Sequence, residues 1–112
     1  MSSFVEFERD VVRVLLHPHM PPGQIEDLLD SASLVSCEHT GAGYFLTVSH
    51  PALPHSRVVC SEPMILGRAQ DVECGFVVFL EGGELTLECH SWGDAPLPAD
   101  LRERPLAIQP VG

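Results

Sequence analysis

Positive charge is what this sequence most lacks. Six arginines and no lysine stand against sixteen acidic residues in 112, a formal net charge of −10. Such a surface repels polyanions, so neither nucleic acid nor an anionic membrane is an expected partner. The charge suits a basic protein partner, or serves solubility alone. Long apolar runs are also missing. The longest, Phe76–Leu80, is far too short to span a bilayer. The N-terminus has no basic region followed by an apolar stretch, so no secretory leader is expected and a cytoplasmic location is. The four cysteines, Cys37, Cys60, Cys74 and Cys89, form no Cys-x-x-Cys pair. Each lies in or beside a strand-like segment, where a thiol acts as a small hydrophobe. Reduced thiols are the reading, with a Cys37/Cys60 or Cys74/Cys89 disulfide as the alternative. Catalytic signatures are absent too: no nucleophile elbow, phosphate-binding glycine loop, His-Glu-x-x-His or paired acidic metal motif occurs. Thr40-Gly41-Ala42-Gly43 resembles a phosphate loop only superficially. It joins two strands and supplies no helix N-terminus for an anion. No enzyme and no cofactor are expected.

What is present is a hairpin. Cys74–Glu81 and Glu84–Trp92 are β-prone runs separated by Gly82-Gly83, and glycine takes the positive φ of a two-residue turn without steric cost. The turn sets Glu81 against Glu84, Leu80 against Leu85, Val78 against Leu87 and Phe76 against Cys89. One face is then apolar. The other carries Val77, Phe79, Thr86, Glu88 and His90, with His90 opposite Gly75. A slip of one residue would turn the apolar set to solvent, so the register is specified.

The N-terminus reads as a helix. Ser3 and Glu6 have capping-box spacing, and Phe4, Phe7, Val11, Val14 and Leu15 form an apolar stripe. Pro18 ends it near Leu16. A second helix is expected over Pro22–Ser31, with Ile25, Leu28 and Leu29 inward. Strands are expected at Leu34–His39, Tyr44–Ser49 and Arg57–Cys60. Met64–Leu66 is a short one that Pro63 restricts to an edge or a strand start. The tail offers a helical turn at Ala99–Arg104 and an edge strand at Leu106–Ile108. At 45% hydrophobic and 20% charged, the chain predicts one α+β domain over residues 1–112. Two N-terminal helices should pack on one face of a mainly antiparallel sheet of about four to six strands.

Several side chains are candidates for function. Cys37-x-His39 shares a strand face and, with His90, makes the best metal set, although structural zinc sites show tighter spacing. Glu38, Glu88, His90 and Asp94 form an acid/base group if neighbouring strands converge, but polar residues on an outward sheet face are ordinarily just solvated. Trp92 and Tyr44 sit near strand ends. With Glu81, Glu84, Glu88 and Asp94 they are the expected protein-binding set, aromatic anchors within an acidic rim.

Two segments carry a resemblance. Glu38-His39-Thr40-Gly41-Ala42-Gly43-Tyr44-Phe45 resembles an E-x-T-G-x-G-aromatic segment. Gly75-Phe76-Val77-Val78-Phe79-Leu80-Glu81-Gly82-Gly83-Glu84-Leu85, continuing through Leu87-Glu88 to Ser91-Trp92-Gly93-Asp94, resembles a GF-x-x-F-x-x-G-x-L … LE … S/T-aromatic-G-D/E ending. Together, over about residues 34–94, they are similar to a loose group of small bacterial proteins, some resembling immunity proteins of contact-dependent or polymorphic toxin systems. Leu85-Thr86-Leu87-Glu88 is one residue shorter than that pattern, as if a bulge were missing. The resemblance implies an α+β fold and no catalytic residues, and the leading expectation is a protein that works by binding another protein. Binding of a small molecule or metal is the alternative.

Overall fold

The N-terminal helices form where apolar side chains recur at helical spacing. In the computed structural model, which describes residues 3–69, 72–93 and 96–111, α1 spans Glu6–Leu16 and buries Phe7, Val11, Val12, Leu15 and Leu16. Val12 and Leu16 take the place expected of Val14, which is only half-buried. The predicted Ser3/Glu6 capping box is corrected as well. Val5 is the N-cap, and its N–H donates to the Glu8 carboxylate at 2.8 Å. The Ser3 hydroxyl instead donates to the Ala32 carbonyl at 3.1 Å, fastening the N-terminus to the end of α2. Helix α2 spans Pro22–Ser31, opens on a proline whose missing N–H would have been unpaired there anyway, and buries Ile25, Leu28 and Leu29. No helix among the described residues is long and apolar enough to cross a membrane.

The strands are β1 (Ser33–His39), β2 (Gly43–Ser49), β3 (Val58–Cys60), β4 (Met64–Ala69), β5 (Val72–Glu81), β6 (Glu84–Ser91) and β7 (Ala107–Val111). They form one antiparallel sheet in the order β1-β2-β6-β5-β4-β7, with β3 beside β5. The class is the α+β expected, with seven strands rather than four to six. The reason is mutual support: the two weakest segments pair with each other, Ile108 facing Gly67 and Pro110 facing Ile65. Met64 opens β4 directly after Pro63, and β7 takes the edge outside it.

The hairpin has the expected register throughout, from Glu81 opposite Glu84 to Gly75 opposite His90. Gly82 and Gly83 adopt φ of 60° and 77°, as a turn matched to strand twist requires. Phe76, Val78, Leu80, Leu85, Leu87 and Cys89 are buried in one core with Phe7, Val11 and Leu15. The Phe7 and Phe76 rings lie 6.0 Å apart. Each large side chain buried there contributes about 1.5–3 kcal/mol. The helices cover this face alone. On the opposite face every side chain is half-buried or exposed.

Candidate functional site

Strand register lays out the open face in rows. One row runs Glu38–Phe45–Glu88–Val77 across β1, β2, β6 and β5. The next runs Gly43–His90–Gly75–Leu66–Gln109. On the other side, Thr47, Thr86, Phe79 and Val59 align, with the two threonine hydroxyls 3.0 Å apart. An open sheet face is ordinarily polar. This one carries half-buried Phe45, Val77, Phe79 and Leu66, with Val59, Met64, Trp92 and Val111 exposed.

The face is hollowed at one place, and the cause is a register mismatch. Both β3 and β4 pair with the same edge of β5. Cys60 faces Val78 and Leu66 faces Gly75, so residues 61–65 stand against only Phe76 and Val77. The surplus chain leaves the ladder and opens a hollow of about 600 Å³ lined by Ser61, Met64, Gly75, Phe76, Val77, His90, Trp92 and Gly93. Glycine at position 75 is needed for it. A Cβ there would stand 2.4 Å from Trp92 Nε1 and 2.8 Å from His90 Nε2. The indole and imidazole thus fold down over a bare stretch of backbone. His90 Nδ1 is enclosed and has no hydrogen-bond partner among the described residues. Trp92 is fixed at its backbone, where its N–H donates to the Glu73 carbonyl at 3.1 Å.

The expected binding set is only partly brought together. Trp92, 39% exposed, and half-buried Glu88 share the open face with the hollow. Glu81 and Glu84 lie at the hairpin tip, eight residues of strand from Trp92, about 26 Å at 3.3 Å per residue. They form no single rim with it. The tip is tied down, since Gly82 and Gly83 donate N–H bonds to the His55 and Pro54 carbonyls, and Glu81 makes a long 3.8 Å ion pair with Arg57. Tyr44 is corrected outright. It is 2% exposed on the inner face and is no surface anchor. Asp94 lies outside the described residues.

The metal set is likewise dispersed. Cys37 and His39 align with Leu46 and Tyr44 on the inner side of β1, whereas His90 lies on the outer face. His39 is engaged through Nε2 with the Pro98 carbonyl at 3.2 Å and through Nδ1 with the Gly41 N–H at 3.1 Å. Among the described residues no cluster of three or more His, Cys, Asp or Glu is placed to hold a metal. In the acid/base group, Phe45 separates Glu38 from Glu88. The four cysteines are free thiols, Cys37 exposed and the others buried.

No family model, curated protein or solved structure matches this chain. The functional reading therefore rests on geometry.

The sequence reading missed a buried polar network. Glu8, fully buried in α1, receives Arg102 in a two-pronged ion pair, Nε to Oε2 at 2.7 Å and Nη2 to Oε1 at 2.9 Å. The Tyr44 hydroxyl donates to the same carboxylate, and Arg102 also donates to the Ser3 carbonyl at 2.9 Å. A recognisable signal existed: Phe4, Glu8, Val12 and Leu16 fall on one helical line whose other members are all buried. The network clamps the tail to α1 and β2. Its charges are spent chiefly on one another. Burial, and then the adjacent Glu8 carboxylate, hold the Tyr44 phenol far above its ordinary value. Its folded form thus keeps the proton that the unfolded chain loses near pH 10. Stability from Tyr44 is complete below that pH and falls by about 1.4 kcal/mol per pH unit above it. Burial also raises the Cys60 thiol, which acts in the same direction. Tyr44 is the only tyrosine, so tyrosinate absorbance should appear in an alkaline titration only together with loss of the circular dichroism of the fold. Ionisation near pH 10 in a folded chain would contradict the buried network.

His50 comes nearest to a catalytic arrangement. Its Nε2 lies 3.1 Å from Ser31 Oγ and 3.0 Å from Asp27 Oδ2. Both partners meet the same nitrogen, while Nδ1 accepts the Ala52 N–H at 3.0 Å. The lone pair is therefore spent on the backbone and Nε2 carries the proton. Ser31 donates to the Asp27 carbonyl at 2.7 Å. A serine nucleophile needs a base with a free lone pair facing it. This group instead fastens the end of α2 to the end of β2.

Proposed function

We propose that this protein acts in the cytoplasm, without catalysis, by binding a basic protein on the open face of its sheet. One observation carries the reading. A sheet already covered on one side keeps a cluster of partly exposed apolar side chains on the other, where solvation would favour polar ones. Glu38 and Glu88 stand among them, on either side of Phe45, in a chain of net charge −10. That combination gives an apolar contact centre and a field that speeds encounter with a cation-rich partner. The narrower form of the reading, in which the partner is a toxin, rests only on the resemblance of residues 34–94 to a loose group of small bacterial proteins, some of them immunity-like.

The reading is tested on partners captured by the wild-type chain and then purified. Trp92→Ala should weaken binding by about 2 kcal/mol or more. Glu38→Arg with Glu88→Arg should slow association and flatten its dependence on salt. If no captured partner responds to either change while the fold is intact, the open face is not the binding surface.

A further inference from the structure

The hollow between the β3–β4 offset and Trp92 has a shape that narrows what can enter it. Its floor is Gly75, Phe76 and Val77, and its walls are Met64 and Trp92. At about 600 Å³ it falls in the size range of ligand pockets. Its walls are exposed, however, Met64 at 54% and Trp92 at 39%. So open a hollow cannot enclose most of a free small molecule. It suits a side chain whose own protein covers the rim.

Charge narrows the occupant further. Glu88 is paired with Val77 on the hollow's floor, Glu73 lies two residues before Gly75 on the same strand face, and Glu62 adjoins Ser61. Arg68 stands opposite Glu73 and is held by it at 3.2 Å. Three carboxylates against one engaged guanidinium leave the rim net acidic. We infer that this hollow is an anchor socket, taking one aromatic or large aliphatic side chain of a partner segment in which arginine or lysine flanks the anchor. The inference rests on the protein-binding reading and specifies its central contact.

Trp92 is the only tryptophan, so its fluorescence reports occupancy directly. Three capped tripeptides serve as probes: Arg-Phe-Arg, Arg-Ala-Arg and Glu-Phe-Glu. Arg-Phe-Arg should bind saturably, at least about tenfold more tightly than either control. Gly75→Ala should abolish that binding, because its methyl drives Trp92 and His90 off the floor through the movable ends of their side chains. Ser61→Phe, which occupies the hollow from an exposed loop position, should do the same should Gly75→Ala not fold. Equal binding of Arg-Phe-Arg and Arg-Ala-Arg would overturn the socket in favour of charge alone. Binding that survives both variants would overturn it too, as would free phenol binding more tightly than the peptide, which makes the hollow a small-molecule site. Absence of binding by all three peptides also rejects the socket. The wider reading fails separately, through a captured partner indifferent to Trp92→Ala and to the Glu38/Glu88 reversal.

Discussion

Arg102→Ala should destabilise the protein by about 3–5 kcal/mol, a large share of the roughly 5–15 kcal/mol available to a domain of this size. The cost does not come from losing an attraction in water. It comes from leaving the fully buried Glu8 carboxylate, among the described residues, with only the Tyr44 hydroxyl and the Val5 N–H for company. The Arg102 side chain is 27% exposed, so water reaching the vacated space holds the loss toward the lower end. The converse change, Glu8→Ala, strands a guanidinium and a phenol together. Replacing all three at once, Glu8→Met, Tyr44→Phe and Arg102→Met, should recover most of the loss, since an apolar cluster needs no charge compensation. Urea denaturation of the single and triple variants decides it. A shift below about 1 kcal/mol for Arg102→Ala would mean that Glu8 is hydrated in solution.

That network also shows where sequence reasoning stops. The hairpin was legible because its information is local: a Gly-Gly turn and strict alternation on both sides determine who faces whom. The helices were legible for the same reason. Tyr44 was misplaced although Tyr44, Leu46 and Val48 alternate inward together along β2. Its position at a strand end suggested exposure, but the buried carboxylate that receives its hydroxyl lies 36 residues away. Arg102 is 94 residues from Glu8, and no spacing rule links such a pair. The hollow is non-local in another way. It arises from five residues of one edge facing two of another, a mismatch visible only once both strands are aligned on β5. Of the candidate site, Trp92 and Glu88 were therefore readable as outward-facing, whereas the cavity that gives them a role was not.

The register itself is tested most sharply at the centre of the sheet. Leu87 is fully buried and lies between Val78 on β5 and Leu46 on β2, both also fully buried. Leu87→Ala there removes three carbons from a site ringed by strand neighbours and covered by the helices. Such a site cannot collapse easily, so the loss should be about 2–5 kcal/mol. Thr86, one residue earlier, faces the open side with its hydroxyl 3.0 Å from that of Thr47. Thr86→Ala forfeits one partly solvated hydrogen bond and should cost about 1 kcal/mol or less. The two neighbours give opposite answers only because side chains alternate across a strand, and a slip of one residue would exchange them. In urea the Leu87→Ala midpoint should fall with an unchanged slope, while Thr86→Ala stays near wild type. The reverse order would show that β6 presents its other face to the core, and the open surface assigned to Glu88, His90 and Trp92 would then be the buried one.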